Sequence, residues 1–252
     1  MQKLAGREAM GRYKGSALGL AWTFIQPLLM LVVYTFVFSQ VFRARWGGAI
    51  STSPKEYAII LFAGLITFNV FSEIAIRAPL LVVENPNYVK KVIFPLEILV
   101  PSVLAASLFH AACSLLILIG AMLLLSQPPS ATILFLPIAW APLILGSLAL
   151  GWLLSALGVF IRDISQLVAI MVQMLMFLSP IFYSLDSLPP GWQSFLTLNP
   201  LSPIIEATRD VLLFSRPPST GYVLVAIPLS VVACELAFRV FQRAKPAFAD
   251  VL

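Results

Sequence analysis

Residues whose side chains commonly do chemistry are few and scattered in this chain. His110 is the single histidine, and it lies in an apolar run, as do the two cysteines, Cys113 and Cys234. No second titratable residue flanks His110 in the sequence, so we interpret it as a packed, hydrogen-bonded helix residue. The sequence contains no phosphate-binding glycine loop, nucleophile elbow, HExxH or CxxC motif. We therefore expect no catalytic site, no metal site and no cofactor in this chain.

Aromatic residues, at 12% of the chain, recur at helical spacing. Two interpretations stay open: helix packing with an interfacial aromatic belt, or a conduit whose flat rings stack on sugar faces. The candidate conduit residues fall in three apolar runs. They are Tyr34, Phe38 and Phe42 in the first, Phe68 and Phe71 in the second, and Phe177, near Phe182 and Tyr183, in the fifth.

The elements that carry these residues are predicted to be membrane-spanning helices. The chain is 60% hydrophobic and only 11% charged, against about 25% charged residues in soluble domains. A helix needs about 20 mostly apolar residues to cross a bilayer, and the alternation of a membrane barrel is absent. The sequence therefore predicts one all-α membrane domain, residues 1–252, with six transmembrane helices. The predicted spans are 18–42, 57–76, 98–125, 133–161, 164–184 and 222–238.

The distribution of lysine and arginine predicts the orientation of these spans. Positive residues concentrate on the cytoplasmic side of membrane proteins. An even number of spans places both termini on one side, and that side carries eleven of the sixteen basic residues. Both termini are thus predicted to be cytoplasmic. The basic residues follow span ends and no nucleic-acid motif accompanies them, so they do not indicate a nucleic-acid partner.

Three polar stretches are predicted on the cytoplasmic side. Residues 1–14, with Arg12, form a basic interface helix suited to an anionic leaflet of membrane lipids. The second cytoplasmic loop carries Glu84, Lys90 and Lys91. Arg162 and Asp163 alone separate the fourth and fifth spans, which predicts a tight hairpin. We expect Asp163 to cap the helix that follows it. Glu235 and Arg239, at i and i+4, are expected to pair.

Several short motifs, spread in order along the whole chain, resemble one family. They are Arg12-Tyr13-Lys14-Gly15-Ser16 with Leu18-Gly19, Trp22 and Gln26-Pro27-Leu28, then Lys90-Lys91-Val92-Ile93-Phe94-Pro95, Phe160-Ile161-Arg162-Asp163-Ile164, Asn199-Pro200-Leu201 with Ile204-Ile205-Glu206 and Arg209, and Lys245-Pro246-Ala247-Phe248-Ala249-Asp250-Val251-Leu252. Together they resemble the permease subunits of polysaccharide-exporting ABC transporters, which export O-antigen, capsule or teichoic acid. The sequence departs from the family where Leu96 and Glu97, rather than a basic residue, follow Phe94-Pro95.

The resemblance implies a homodimer of permeases in the bacterial inner membrane. It implies two copies of a separate ATPase subunit, which bind ATP and Mg and hydrolyse the ATP. The permease pair then forms a channel for a lipid-linked polysaccharide. In this arrangement the residues expected to couple to the ATPase are Arg12, Glu84, Lys90, Lys91, Arg162 and Asp163.

The stretch 185–220 is expected to close such a channel on the external side. It is too apolar for a solvated loop, and Pro189-Pro190 with Pro200 divides it into two short re-entrant helices. An alternative is a plain interfacial anchor. The expected gate residues are Trp192, Phe195 and Leu198, with Glu206 and Arg209, which are spaced to pair or to contact the passing substrate.

Two other classes of function remain as alternatives. An ion-coupled secondary transporter or lipid flippase needs charged residues at mid-membrane, whereas Glu73, Glu97 and Glu235 are predicted near span ends. A membrane-embedded glycosyl- or acyltransferase needs a polar catalytic cluster. The sequence does not distinguish O-antigen, capsule and teichoic acid as the exported glycan.

Overall fold

The computed structural model describes residues 18–37, 54–90, 94–125 and 128–251, together with Gly6 and Ser16. The predicted interface helix, with Arg12, therefore lies outside the described residues. The same holds for Phe38, Phe42 and Lys91, and for the side chain of Lys90.

Regular structure in the described ranges is helical throughout, as the sequence predicts. Short 3-10 turns, such as Ala78–Leu80 and Leu96–Ile98, join several of the helices. In chain order the helices are α1 (Trp22–Phe36), α2 (Pro54–Arg77), α3 (Pro86–Lys90), α4 (Leu99–Leu124), α5 (Leu136–Phe160), α6 (Ile164–Leu178), α7 (Pro190–Thr197), α8 (Leu201–Leu212), α9 (Thr220–Ala244) and α10 (Phe248–Val251).

Among the described residues, four helical segments are long and apolar enough to cross a membrane. They match the predicted second, third, fourth and sixth spans, and they run over Lys55–Leu80, Leu96–Leu124, Ala131–Phe160 and Thr220–Val251. At the first and fifth predicted spans the structure has two shorter apolar helices, α1 and α6, of 15 residues each. A helix of that length extends about 22 Å, less than the roughly 30 Å hydrocarbon core of a bilayer.

The helix in the predicted fifth span is shorter than predicted, because α6 ends at Leu178 rather than at residue 184. Pro180 causes this early end. The ring of a proline disfavours helical backbone at the preceding residue, and Ser179 is extended, with φ −99° and ψ 147°. By contrast, Pro27, Pro142 and Pro228 lie inside helices. The chain from Ser179 to Ser184 therefore carries backbone groups that no helix satisfies.

The predicted cap at Asp163 is wrong. Asp163 occupies the N-cap position of α6, but its side chain makes no capping hydrogen bond. Its backbone is helical, with φ −76° and ψ −9°, whereas capping side chains usually project from an extended N-cap residue. The backbone carbonyl of Asp163 accepts hydrogen bonds from the amides of Gln166 and Leu167 instead.

Helix α2 is the central column of the bundle. It packs against α1, α4, α5, α6 and α8, and it is the most buried of the four long segments. From Tyr57 to Val70 every residue except Asn69 is buried. The distance from Tyr57 to Arg77 along this helix is about 30 Å at 1.5 Å per residue. We call the end of the bundle that contains Arg77 and the α5–α6 hairpin the hairpin end. We call the opposite end, which contains Tyr57 and the segment between α6 and α9, the segment end.

Close contacts tie the hairpin end together. The Ser155 hydroxyl on α5 donates a 2.9 Å hydrogen bond to the carbonyl of Ala78, directly after α2. One turn on, a Cβ added to Gly158 would overlap the backbone carbonyl of Pro79, so only glycine allows this approach. Helix α10 adds a second set of contacts at this end. Phe248 is fully buried against Phe160 and Phe241.

An ion pair links the last long helix to the start of α4. The Lys245 ammonium lies 2.8 Å from the Glu97 carboxylate. Trp152 on α5 donates a hydrogen bond to the Glu97 carbonyl and packs edge-on against Phe238 of α9. Elements distant in sequence therefore form one unit at the hairpin end.

We predict that Gly158→Ala lowers the thermal stability of the detergent-purified protein. The added methyl group has to displace the Pro79 backbone, and overpacking of this kind costs about 1–3 kcal/mol. Gly146→Ala on the same helix is the matched control, because nothing lies within 4 Å of its Cβ position. The control should keep or slightly raise the melting temperature. Equal melting temperatures for the two variants would show that the α2–α5 junction is not tight.

Candidate functional site

Two short helices occupy the segment between α6 and α9, and the second of them is anchored by a buried arginine. Helix α8 is amphipathic, and its apolar face is buried against α2 and α5. Arg209 lies on that buried face and is fully inaccessible to solvent. A buried guanidinium carries a large desolvation cost unless hydrogen-bond acceptors surround it.

The acceptors come from three different parts of the chain. Arg209 donates to the carbonyl of Ile60 on α2 at 3.1 Å, to the carbonyls of Pro180 and Ile181, and to the carboxylate of Glu206 at 3.3 Å. The expected Glu206–Arg209 pair is thus present. Because Arg209 is buried, it does not contact a substrate in this conformation. It satisfies the backbone that Pro180 leaves outside a helix.

Two other side chains also donate hydrogen bonds to the chain at the end of α6. The Tyr57 hydroxyl donates to the carbonyl of Phe182. The Asn199 amide, between α7 and α8, donates to the Leu178 carbonyl at 3.3 Å and to the Ser179 hydroxyl at 2.9 Å. The carbonyl of the last α6 residue, Leu178, and three carbonyls after α6 therefore have side-chain donors. Non-helical backbone at membrane depth is tolerated only where protein satisfies it in this way.

Gly64 makes room for the arginine. A Cβ at this position of α2 would lie 2.7 Å from Arg209 Nη2.

Helix α8 lies outside the four candidate spans. Burial lowers the pKa of Arg209 to about 10, and Glu206 opposes this shift, so the guanidinium is charged at neutral pH. Burial also raises the pKa of Glu206, against the opposing effect of Arg209.

Helix α7 differs from α8 because its aromatic side chains face outward. Trp192 is 61% exposed, Phe195 54% and Leu198 80%. The two rings contact each other edge-to-face, with centroids 6.3 Å apart. Three of the five predicted gate residues, Trp192, Phe195 and Leu198, thus share an apolar surface that the described part of the chain does not cover.

The aromatic residues proposed to line a conduit have different surroundings. Tyr34 lines a cavity between helices. Phe68 is buried in the core, with its ring 6.1 Å from that of Phe71. Phe177 is exposed and stacks on Phe182 at 5.8 Å.

The cavity beside Tyr34 has a volume of about 380 Å³ and lies between α1, α2 and α4, with Met176 of α6 at its wall. Glu73 of α2 and His110 of α4 both line it, and the carboxylate lies 3.6 Å from His110 Nδ1. No titratable residue flanks His110 in the sequence, but the fold brings Glu73 to it from another helix. No three His, Cys, Asp or Glu side chains among the described residues come together to hold a metal.

At the hairpin end, the described residues predicted to contact an ATPase are accessible. Glu84, Arg162 and Asp163 are all exposed. The Ala78–Leu80 turn precedes Glu84 and packs on α5, immediately before the Arg162-Asp163 hairpin. The two polar stretches are therefore mechanically connected. The expected Glu235–Arg239 pair is also present, at 2.7 Å, and is exposed.

Comparison with known proteins gives the family. The sequence pattern of the ABC-2 type transporter membrane family matches residues 1–213. The chain belongs to this family. It is a multi-pass membrane protein, and its relatives cover nearly its whole length. An O-antigen export system permease protein RfbA of Klebsiella pneumoniae is 23% identical over 250 residues, 99% of this chain and 93% of the relative.

Two further relatives come from other organisms. The O-antigen export system permease protein RfbA of Myxococcus xanthus is 25% identical, over 98% of this chain and 93% of the relative. The polysialic acid transport protein KpsM of Escherichia coli is 24% identical, over 90% of this chain and 84% of the relative.

Sequence reasoning did not identify Tyr57, Gly64 and Asn199 as partners of the α6 end. The proximity of Glu73 to His110 was also not predicted from the sequence. One signal for the first group is present in the sequence: an arginine on the apolar face of α8 requires acceptors, and the proline at the end of an apolar run supplies free carbonyls. Nothing in the sequence indicates which helix supplies the remaining contacts.

We predict that Arg209→Met strongly destabilises this family member. Several buried carbonyls lose their donor, and each unsatisfied group costs about 1–3 kcal/mol. Arg216→Met is the matched control, because Arg216 is exposed directly after α8. The measurement is thermal unfolding of the two purified variants in one detergent. Equal melting temperatures would contradict the anchoring role of Arg209.

Proposed function

We propose that this chain is the membrane-spanning channel subunit of an ATP-driven exporter, which moves a lipid-linked polysaccharide out across the bacterial inner membrane. The observation that carries this proposal is the similarity, over 90% or more of the chain, to permeases named for O-antigen export and for polysialic acid transport. A cavity with several polar side chains in its lining, inside an otherwise apolar bundle, is consistent with a transport path.

The proposed assembly is a homodimer with two copies of a separate ATPase. The sequence has no nucleotide-binding loop, so ATP and Mg belong to the partner. Exposed, connected stretches at the hairpin end suit the transmission of a rigid-body movement. In this proposal the ATPase contacts Arg12, Glu84, Lys90, Lys91, Arg162 and Asp163.

The proposed topology has six spans, with both termini in the cytoplasm. The two 15-residue helices, α1 and α6, then cross the bilayer together with neighbouring residues. The hairpin end faces the cytoplasm, because the positive-inside rule assigns Arg77, Arg162 and Lys245 to that side.

Helices α7 and α8 are then the external, re-entrant part of the protein. We infer that α8 is fixed to the bundle, whereas the exposed face of α7 seals the channel at the dimer axis. The anchoring of Arg209 and the exposure of Trp192, Phe195 and Leu198 support this division. A channel wide enough for a sugar chain needs such a seal to prevent ion leakage.

Export itself tests the proposed function. Cells that lack this chain should accumulate the glycan inside and display none on the surface, and the wild-type chain should restore display. A partner ATPase with its catalytic site inactivated should also abolish display, whereas a brief collapse of the proton gradient at constant ATP should not. Loss of display with the gradient and not with the ATPase variant would instead support an ion-coupled transporter.

The seal is tested by replacing Trp192, Phe195 and Leu198 with alanine. Vesicles containing this variant should leak ions without ATP, because the apolar contact across the channel is lost. The control replaces Leu224, Leu229 and Leu236, which are equally exposed but lie on α9. Control vesicles should stay as tight as those with wild-type protein. If the gate variant assembles normally and its vesicles are also tight, the seal lies elsewhere.

A further inference from the structure

Helix α3, which follows Glu84 and carries Lys90, is only five residues long. A helix this short is unstable on its own, so its position depends on what packs against it. Among the described elements, the most extensive contact of α3 is with α10. The Tyr88 ring of α3 also stacks on Phe94, with centroids 4.5 Å apart. Helix α10 is therefore the main support of α3 from a distant part of the sequence.

Helix α10 is itself held in place by the side chain of Phe248, which is fully buried. Its ring centroid lies 6.0 Å from that of Phe160 and 5.5 Å from that of Phe241. Phe160 is the last residue of α5, two positions before Arg162. Phe248 thus connects α10 to the end of the helix that leads into the Arg162-Asp163 hairpin.

The turn that precedes α10 is held by a separate contact. The 3-10 turn Lys245–Ala247 joins α9 to α10, and the Lys245 ammonium pairs with Glu97 at the start of the α4 segment. Held in this way, α10 contacts both α3 and α5. Close-packed protein interiors have low compressibility and transmit strain. A displacement of α3 is therefore expected to reach α5 through α10.

We propose that Phe248 is a positioning residue for coupling to the ATPase, which holds α3, through α10, at a fixed place beside the Arg162-Asp163 hairpin. The inference rests on the proposed function. The Ala78–Leu80 turn connects the stretch before Glu84 to α5, whereas Phe248 connects the helix after Glu84 to the same element. The two polar stretches then move as one surface. Phe248 is buried and acts only through α10.

Hydrogen–deuterium exchange of the transporter in lipid nanodiscs, with its partner ATPase, tests the positioning. Phe248→Ala removes the ring that holds α10, so the backbone amides of α3 should exchange several-fold faster while those of α2 stay unchanged. Leu118→Ala is the matched control. Leu118 is also fully buried, but it lies on α4 about 28 Å from Leu99, at 1.5 Å per residue. The control should leave exchange of α3 as in the wild type.

A second measurement separates positioning from packing. Glycan export and ATP hydrolysis are measured together in inverted membrane vesicles that contain the cell's own lipid-linked glycan, below the melting temperature of every variant. Phe248→Ala should hydrolyse ATP near the wild-type rate and export several-fold less glycan. A packing defect alone changes both rates in proportion, as we expect for Leu118→Ala. Export by Phe248→Ala in wild-type proportion to the ATP it hydrolyses would overturn the inference.

Phe248→Leu keeps part of the buried apolar side chain, and it decides the matter if Phe248→Ala does not fold. It should lie between the wild type and the alanine variant in both measurements, and wild-type values in both would overturn the inference. Wild-type vesicles that hydrolyse ATP but export no glycan would instead contradict the proposed function. Exchange of α3 would still test the positioning by Phe248 in that case.

Discussion

The buried guanidinium of Arg209 is the interaction on which the architecture of the segment end depends. Pro180 ends α6 and leaves carbonyls without helical partners, and Arg209 supplies donors to two of them while it also contacts α2. Neither feature is tolerable alone, because an unpaired buried charge and unpaired buried carbonyls are both costly. Together they fix α8 to the bundle, in addition to the packing of its apolar face against α2 and α5. Gly64 supplies the space that this arrangement requires.

Helix α2 connects this anchor, at Ile60, to Arg77 at the hairpin end, about 25 Å away at 1.5 Å per residue. There the Ala78–Leu80 turn packs on α5, and Phe248 and the Lys245–Glu97 pair join the chain terminus to the same unit. A movement imposed at the hairpin end thus has a rigid route along α2 to α8. The aromatic face of α7 lies outside this rigid unit. This division suits an exporter, which needs a fixed frame and one element that opens.

The sequence predicted the long helices well, because an apolar run of sufficient length has few alternatives in a membrane. It also predicted two short helices near Pro190 and Leu201, and the local pairs Glu206–Arg209 and Glu235–Arg239, which depend only on helical spacing. It failed where the outcome depends on tertiary contacts. The end of α6, the backbone conformation at Asp163 and the approach of Glu73 to His110 all belong to this class.

Hydrogen–deuterium exchange of the transporter in lipid nanodiscs, with its partner ATPase and with or without trapped ATP, tests this division most directly. Exchange reports local opening, so an anchored helix and an unanchored one differ in protection. The account predicts that backbone amides of α8 are as protected as those of α2 in both states. It predicts that α7 exchanges faster and changes its protection when ATP is trapped. Fast exchange throughout α8, or equal and constant protection of α7 and α8, would contradict the account.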